Sequence, residues 1–509
     1  MLNRWLRAES LSGTLHAPRV NRHALAGSDI GLLKLLVAGM ALETVLLTGF
    51  LLQFSILRHP DVIADPRLLA TVLGGDVAGA LHFAVPVVFA FAFYAVSLIF
   101  ARGPMGKAAL WLVLGGTVLF SATLVGTNPM GAHDVYHNVA DERTLWIYGD
   151  NPATVPPLAH SDDPFFGNVP SWQDTPSAYG PMWYAIAGAP LPFTGDRLWP
   201  SVVGQKVIAS IFLLGTAVLA MLLAERIRCG TGVMAGVLVG WNPLLQWETA
   251  GNAHNDVAMV FFALAAIYAL SRRWWPPVFP LLALSIATKE TLAVLGPVLL
   301  VWMLRQRCVS RRQILLSLGL GGLVLAAVYI PLFSGKEMLA GLQRESDHVT
   351  SSPGALVYTL VQARLQTDWT RVLNVMKLVA WPAFLAGYAV LLWRMPRNAG
   401  LDRVAGVSFW SVFLLVTLLI WWFMQWYLFW LVPLAALIPD RRPGTVAAVF
   451  SFTAMLMYVP HFWLLYDDQV VVQSATAITA FLLPVIVAIA PRIRVRRHSL
   501  IVDPGAAAA

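Results

Sequence analysis

The chain has 509 residues, 58% of them hydrophobic and only 12% charged, well under the charged share of about 25% in soluble domains. A soluble enzyme is excluded, and the expected class is an all-α polytopic integral membrane protein embedded in the lipid bilayer. The formal net charge of +8 does not mark a nucleic-acid partner, because Arg and Lys fall in short groups between apolar runs and make no basic face.

Residues 1–30 are polar and basic, and the apolar run that follows is too long for the core of a cleavable signal. They are expected to form a cytoplasmic tail. Apolar runs then occur at 31–56, 77–101, 108–126, 201–224, 231–247, 256–271, 278–304, 313–333, 373–393, 405–421, 426–439, 445–461 and 471–490. The run 278–304 has basic residues on both sides, which one straight crossing cannot satisfy. Two short helices meeting at Thr288, Lys289 and Glu290 can, giving about fourteen membrane segments in one multi-pass domain over residues 31–491.

Every second connection is basic, among them Arg226 and Arg228, Arg305 to Arg312, and the "PRIRVRRH" at 491. The intervening ones, notably 127–200 and 334–371, are poor in Arg and Lys and hold most of the Asp and Glu. The positive-inside rule then puts both termini, including the tail 492–509, in the cytoplasm of a plasma-membrane protein. Loops 127–200 and 334–371 face outward, and Cys229 and Cys308, beside basic clusters, are expected to stay reduced. The long outer loop should be compact and mostly irregular, with one short helix at "MWYAIAGA".

The candidate chemistry collects on the outer side. Asp134 follows the third apolar run and is placed to act as a general base. His133 and His137 around it share one helix face, the spacing of a metal pair, although no cofactor is expected. In "PSWQDTPSAYGPMWY", Trp172, Asp174 and Tyr179 combine flat apolar faces with acceptors, the usual surface for a sugar. "ETAGNAHND" places Glu248, Asn252, His254, Asn255 and Asp256 in an apolar setting, where bare polar groups cost several kcal/mol. Asn255 and Asp256 read as sugar ligands or as caps of the following helix. Lys289, at the tip of the broken run, suits a phosphate, as do His254, Arg344, His348 and Arg371. Gln425, Trp426 and Tyr427 end the list, partly explained by an interfacial aromatic belt.

Taken in order, "DVY", "WQDTPSAYGPMWY", "NPLLQWETAGNAHNDVAM", "ATKET" and "QWYLFW" resemble the polyprenol-phosphate-mannose-dependent alpha-1,6-mannosyltransferases, membrane glycosyltransferases of the GT-C class. The resemblance spans roughly residues 127–435. It implies inverting transfer of a hexosyl, expected to be mannosyl, unit from a polyprenyl-phosphate sugar donor to a glycan or glycolipid acceptor on the outer face. Asp134 takes the place of the family's acidic residue. A multi-pass transporter or lipid flippase is the competing reading, since broken helices and intramembrane polar groups occur there too.

Overall fold

Among the described residues, nine helices are long and apolar enough to cross a membrane, or up to ten if a bent pair is one span. The computed structural model describes residues 22–59, 68–103, 105–335, 348–365, 369–464 and 468–490. Arg344, the two terminal tails and much of loop 334–371 therefore lie outside the described residues. All named elements are helical, and two isolated bridges, Ser55 with Thr127 and Thr350 with Trp422, are the β pairing among the described residues.

Helix α1 (Arg22–Leu46) packs on α2 (Val77–Phe100) and α3 (Lys107–Val125). These helices close on one another through notches. A Cβ on Gly39 of α1 or Gly116 of α3 would stand 2.6 or 2.8 Å from the Trp241 ring, so the two glycines make the slot that the indole fills. Its Nε1 donates to the Val113 carbonyl at 2.9 Å. Small residues are the usual means of close helix approach where lipid removes the hydrophobic drive. Glu43, inside α1, accepts a hydrogen bond from Thr123 of α3 and so pairs within the bundle.

The long connection 127–200 begins with α4 (Asp134–Trp146), and its irregular remainder is tied down by Arg143. That guanidinium meets Asp163 at 2.9 Å and Asp196 at 2.7 Å. The short helix expected at "MWYAIAGA" is present as Pro181–Ala187, with proline at its start. Helix α5 (Leu198–Ile227), about 45 Å long at the α-helical rise, returns through the bundle and packs on α6 (Asp256–Ser271).

The run expected as one span over 231–247 is interrupted. A helix ends at Gly240, and Asn242 then caps a new turn at Pro243 by accepting from Leu244 and Leu245 N–H. A π turn at Trp247–Gly251 and a left-handed Ala253 (φ 60°) follow. The chain re-enters α6 bent by 117° from Pro243–Gly251. Such backbone is tolerated at membrane depth when surrounded by protein, and every residue from Gly236 to Val260 is buried.

The break expected in 278–304 is also present: α7 (Val278–Thr288) ends at an extended Lys289, and after the turn Glu290–Val294 the chain resumes as α8 (Leu295–Arg305). Helices α9 (Arg311–Tyr329), α10 (Trp369–Trp393), α11 (Leu401–Leu418), α12 (Arg441–Leu456) and α13 (Gln469–Ile489) complete the bundle. Only 6% of the apolar window in α10 is buried, leaving that helix to the lipid. The run 426–439 is not a span. It forms a 3-10 turn, Gln425–Trp430, and a four-residue helix, Val432–Ala435, because its side chains are drawn into the centre of the molecule.

Candidate active site

Two loops meet under the start of α4. Gly131 N–H donates to Asn252 Oδ1 at 2.9 Å, and a Cβ on Gly131 would lie 2.4 Å from Asn252 Nδ2. The "NPMG" and "GNAHND" stretches are thereby locked together. Asp134 is the first residue of α4, where a carboxylate suits the positive end of the helix. Its side chain is 30% exposed to a cavity of about 380 Å³, within the range of about 300 to 1,000 Å³ usual for small-molecule sites.

Tyr179 donates its hydroxyl to Asp134 Oδ1 at 3.0 Å. The tyrosine is held by its neighbour, since Gly180 N–H donates to the Thr288 carbonyl at 3.1 Å. A Cβ on Gly180 would lie 2.1 Å from the Ala287 carbonyl oxygen. "SAYGP" is thus pressed onto the end of α7, beside Lys289. The Lys289 ammonium stands 3.4 Å from Asp256 Oδ1 and over the rings of Tyr427, Tyr179 and Trp430, at 5.0, 5.5 and 5.8 Å. Aromatic faces around a desolvated cation stabilise it further.

Of the residues singled out in the sequence, Asp134, Trp172, Tyr179, Lys289, Gln425, Trp426 and Tyr427 line this one cavity. His254 and Asp256 lie just behind its wall, each in contact with a lining residue: His254 stacks on Trp426 at 3.7 Å, and Asp256 pairs with Lys289. Neither helix-capping role is seen. Asn255 stands at the N-cap without a side-chain cap bond and its buried amide finds no hydrogen-bond partner among the described residues, while Asp256 accepts from Trp430 Nε1 at 2.6 Å. Asp174 is exposed and accepts from Thr175, outside the cavity lining. Arg371 lines a different, apolar groove of about 840 Å³ between α10 and α11. His348 sits at the rim, stacked on Trp422 at 4.6 Å and edge-on to Trp172 at 5.7 Å.

The cavity also includes Trp422, Met424 and His461, which the sequence did not single out. For His461 a signal was present: "MYVPHFW" places an imidazole and a tyrosine at the end of an apolar run. His133 also lines the cavity. His137 is engaged elsewhere, with Nδ1 3.3 Å from Asp141 and Nε2 3.3 Å from the Trp172 carbonyl. Among the described residues no group of three or more His, Cys, Asp or Glu is placed to hold a metal ion.

The arrangement offers a carboxylate and an ammonium facing one cavity walled by aromatic rings, which is chemistry suited to an anionic, hydroxyl-rich substrate. A model of the family described as alpha-(1->6)-mannopyranosyltransferase, N-terminal domain, matches residues 36–305, a range that contains Asp134, Tyr179, His254 and Lys289. The chain is 26% identical over 411 residues to alpha-(1->6)-mannopyranosyltransferase A of Mycobacterium tuberculosis, covering 74% of this chain and 75% of that protein. It is 27% identical over 183 residues to a probable alpha-(1->6)-mannopyranosyltransferase of Mycolicibacterium smegmatis, covering 32% of each. To alpha-(1->6)-mannopyranosyltransferase B of Corynebacterium glutamicum it is 25% identical over 178 residues, 32% of this chain and 29% of that one.

Proposed function

The chain belongs to the alpha-(1->6)-mannopyranosyltransferase family, and from that premise we propose that it moves a mannosyl unit from a polyprenyl-phosphate donor to a hydroxyl of a glycan or glycolipid on the outer face of the plasma membrane, with inversion. The observation that carries this reading is that Asp134 and Lys289 face the same cavity. Asp134 takes the proton of the acceptor hydroxyl as the acceptor oxygen bonds to the anomeric carbon. The bond from that carbon to the phosphate oxygen breaks with its electron pair staying on the phosphate. The proton leaves Asp134 for water once the products depart.

A phosphate is a good leaving group, so the chemistry needs charge stabilisation more than a general acid. Lys289 supplies that charge, and its partial neutralisation by Asp256 leaves it bound in place until the donor arrives. Trp172, Tyr179, Trp426 and Tyr427 give the flat faces on which sugar rings stack, and Gln425 a hydrogen-bonding amide.

The test is purified protein with a radiolabelled polyprenyl-phosphate mannose and a mannoside acceptor. Extended glycan is expected, and Asp134→Asn should abolish it in a protein that still inserts and folds. The bent pair at Gly251 and the break at Lys289 are also features of transporter sites. Movement of the lipid-linked sugar across liposomes without glycan extension would replace the transferase reading by that one.

A further inference from the structure

His254 is the buried group that the transfer chemistry above leaves without a task. Its side chain is 1% exposed, and its ring lies flat against Trp426, with 3.7 Å between centroids and 17° between planes. Nδ1 faces two acceptors, the Glu248 carboxylate Oε2 at 3.0 Å and the Glu248 backbone carbonyl at 3.2 Å. Two acceptors at one nitrogen fix the tautomer: Nδ1 carries a hydrogen. Nε2 is buried and makes no hydrogen bond, and it points at Asp134 Oδ2 from 4.0 Å. An imidazole lone pair set against a carboxylate is repulsive, whereas one proton on Nε2 turns the contact into an ion pair.

The surroundings favour that proton. Glu248 is 0% exposed and is held in the acceptor state by two further donors, Tyr458 Oη at 2.7 Å on Oε1 and Asn252 Nδ2 at 3.2 Å on Oε2. The third carboxylate that acts on His254, Asp256, belongs to Lys289 at 3.4 Å, and the Trp426 face adds its own attraction for a cation. From α4 the facing charge is Asp134, whose Oδ1 already accepts from Tyr179; the helix Tyr458–Trp463 contributes the neutral Tyr458 hydroxyl, which donates to Glu248.

We infer that His254, backed by Glu248, is a positioning residue whose protonated ring pairs with Asp134 across 4.0 Å and so keeps Asp134 aimed at the acceptor hydroxyl. Tyr179 hydrogen-bonds one carboxylate oxygen and His254 faces the other as its ion-pair partner, so the base is oriented from both sides. This assigns His254 to the base and not to the donor phosphate. It rests on the reading of Asp134 as the base in the proposed transfer, and its test separates the two.

The variant is His254→Asn, whose amide can still donate to Glu248 from the place of Nδ1 while Nε2 is gone. With polyprenyl-phosphate mannose as donor, kcat should fall about 10²-fold or more, the scale of acid–base assistance, with KM for the donor little changed. Loss of the neighbouring cation should also move the acidic limb of the pH–rate profile upward. A fall in kcat with the limb where it was in the wild type would overturn the inference and leave His254 as packing.

The second measurement does not need turnover. In ¹⁵N-histidine-labelled protein, with the His254 signal assigned by its absence from His254→Asn, the pH midpoint of that signal should drop in Asp134→Asn and in Glu248→Gln. An unmoved midpoint in Asp134→Asn would refute the ion pair even if the wild-type enzyme transfers mannose. A shifted midpoint alongside a wild-type protein that transfers no mannose would keep the pair and sink the transferase reading instead.

Discussion

Lys289 and Asp256 show how a single residue can carry stability and activity at once. The ammonium side chain is 6% exposed and the carboxylate 1%, so each answers for the other's burial. Lys289→Met removes the charge but leaves Asp256 in the interior, a change that costs about 3 to 5 kcal/mol for a buried pair. Adding Asp256→Asn should return most of that loss, since the remaining amide can still accept from Trp430. Transfer should stay absent in both proteins, because the phosphate has lost its cation. Thermal unfolding in detergent and turnover, measured side by side, check this. Activity that returns along with stability in the double variant would show that Lys289 is structural.

The same scale fixes a pH response outside the membrane. On α4, His137 is partly exposed: burial disfavours its charge, but Asp141, with help from Asp134 and the Trp172 carbonyl, outweighs this and raises it from 6.5 to about 9. Burial raises Glu142 from 4.5 to about 9 despite Arg143 and Gln205. Both groups hold more protons folded than unfolded. Their contribution to stability is complete below their unfolded values of 6.5 and 4.5 and is lost as pH rises through about 9. The melting temperature should therefore fall between pH 4.5 and about 9, most steeply above 6.5 where both groups act, and His137→Gln with Glu142→Gln should flatten that slope in differential scanning fluorimetry. An equal slope in the double variant would place the alkaline sensitivity elsewhere.

At the level of elements, the junction between "SAYGP" and the end of α7 couples the loop 127–200 to the helix break. Gly180→Ala forces a methyl group against the Ala287 carbonyl, which a Cβ would approach to 2.1 Å. Backbone stands on both sides, so the loop must lift. The expected cost is about 1 to 3 kcal/mol, as for overpacking in a core. Turnover should fall more steeply than stability, since lifting the loop takes Tyr179 off Asp134. Unchanged turnover in a destabilised protein would detach this loop from the site.

This junction also shows why some elements could be read in the sequence and others could not. The break at Lys289 was legible because charge on both flanks of one apolar run contradicts a straight crossing. The polar knot at 248–256 was legible because such groups are costly unless they have partners. The stretch 426–439 has the composition of a span, and what bends it is remote: Trp430 reaches Asp256, and Trp426 covers His254. Local propensity holds no trace of those contacts. The placement of Arg371 on another groove was illegible for the same reason, as a lone cation in a loop says nothing about whether its helix faces the cavity or the lipid.

For the molecule as a whole, the cavity has value to a lipid-linked donor only on the side from which the donor comes. In the proposed orientation the basic clusters at Arg226 and Arg228 and at Arg305 to Arg312 face the cytoplasm, and the free thiols Cys229 and Cys308, both exposed, lie at those clusters. Ser171 lines the cavity at the opposite pole of this reading. In intact cells a membrane-impermeant maleimide should leave Cys229 and Cys308 unmodified until the membrane is permeabilised. In a Cys229→Ser, Cys308→Ser background, Ser171→Cys should react without permeabilisation and should be shielded by polyprenyl-phosphate mannose. Labelling of the native thiols in intact cells would reverse the orientation. The acceptor would then be cytoplasmic, the charge pattern would have lost to some stronger topological signal, and Asp134 would be working in a compartment where soluble nucleotide sugars are available as well.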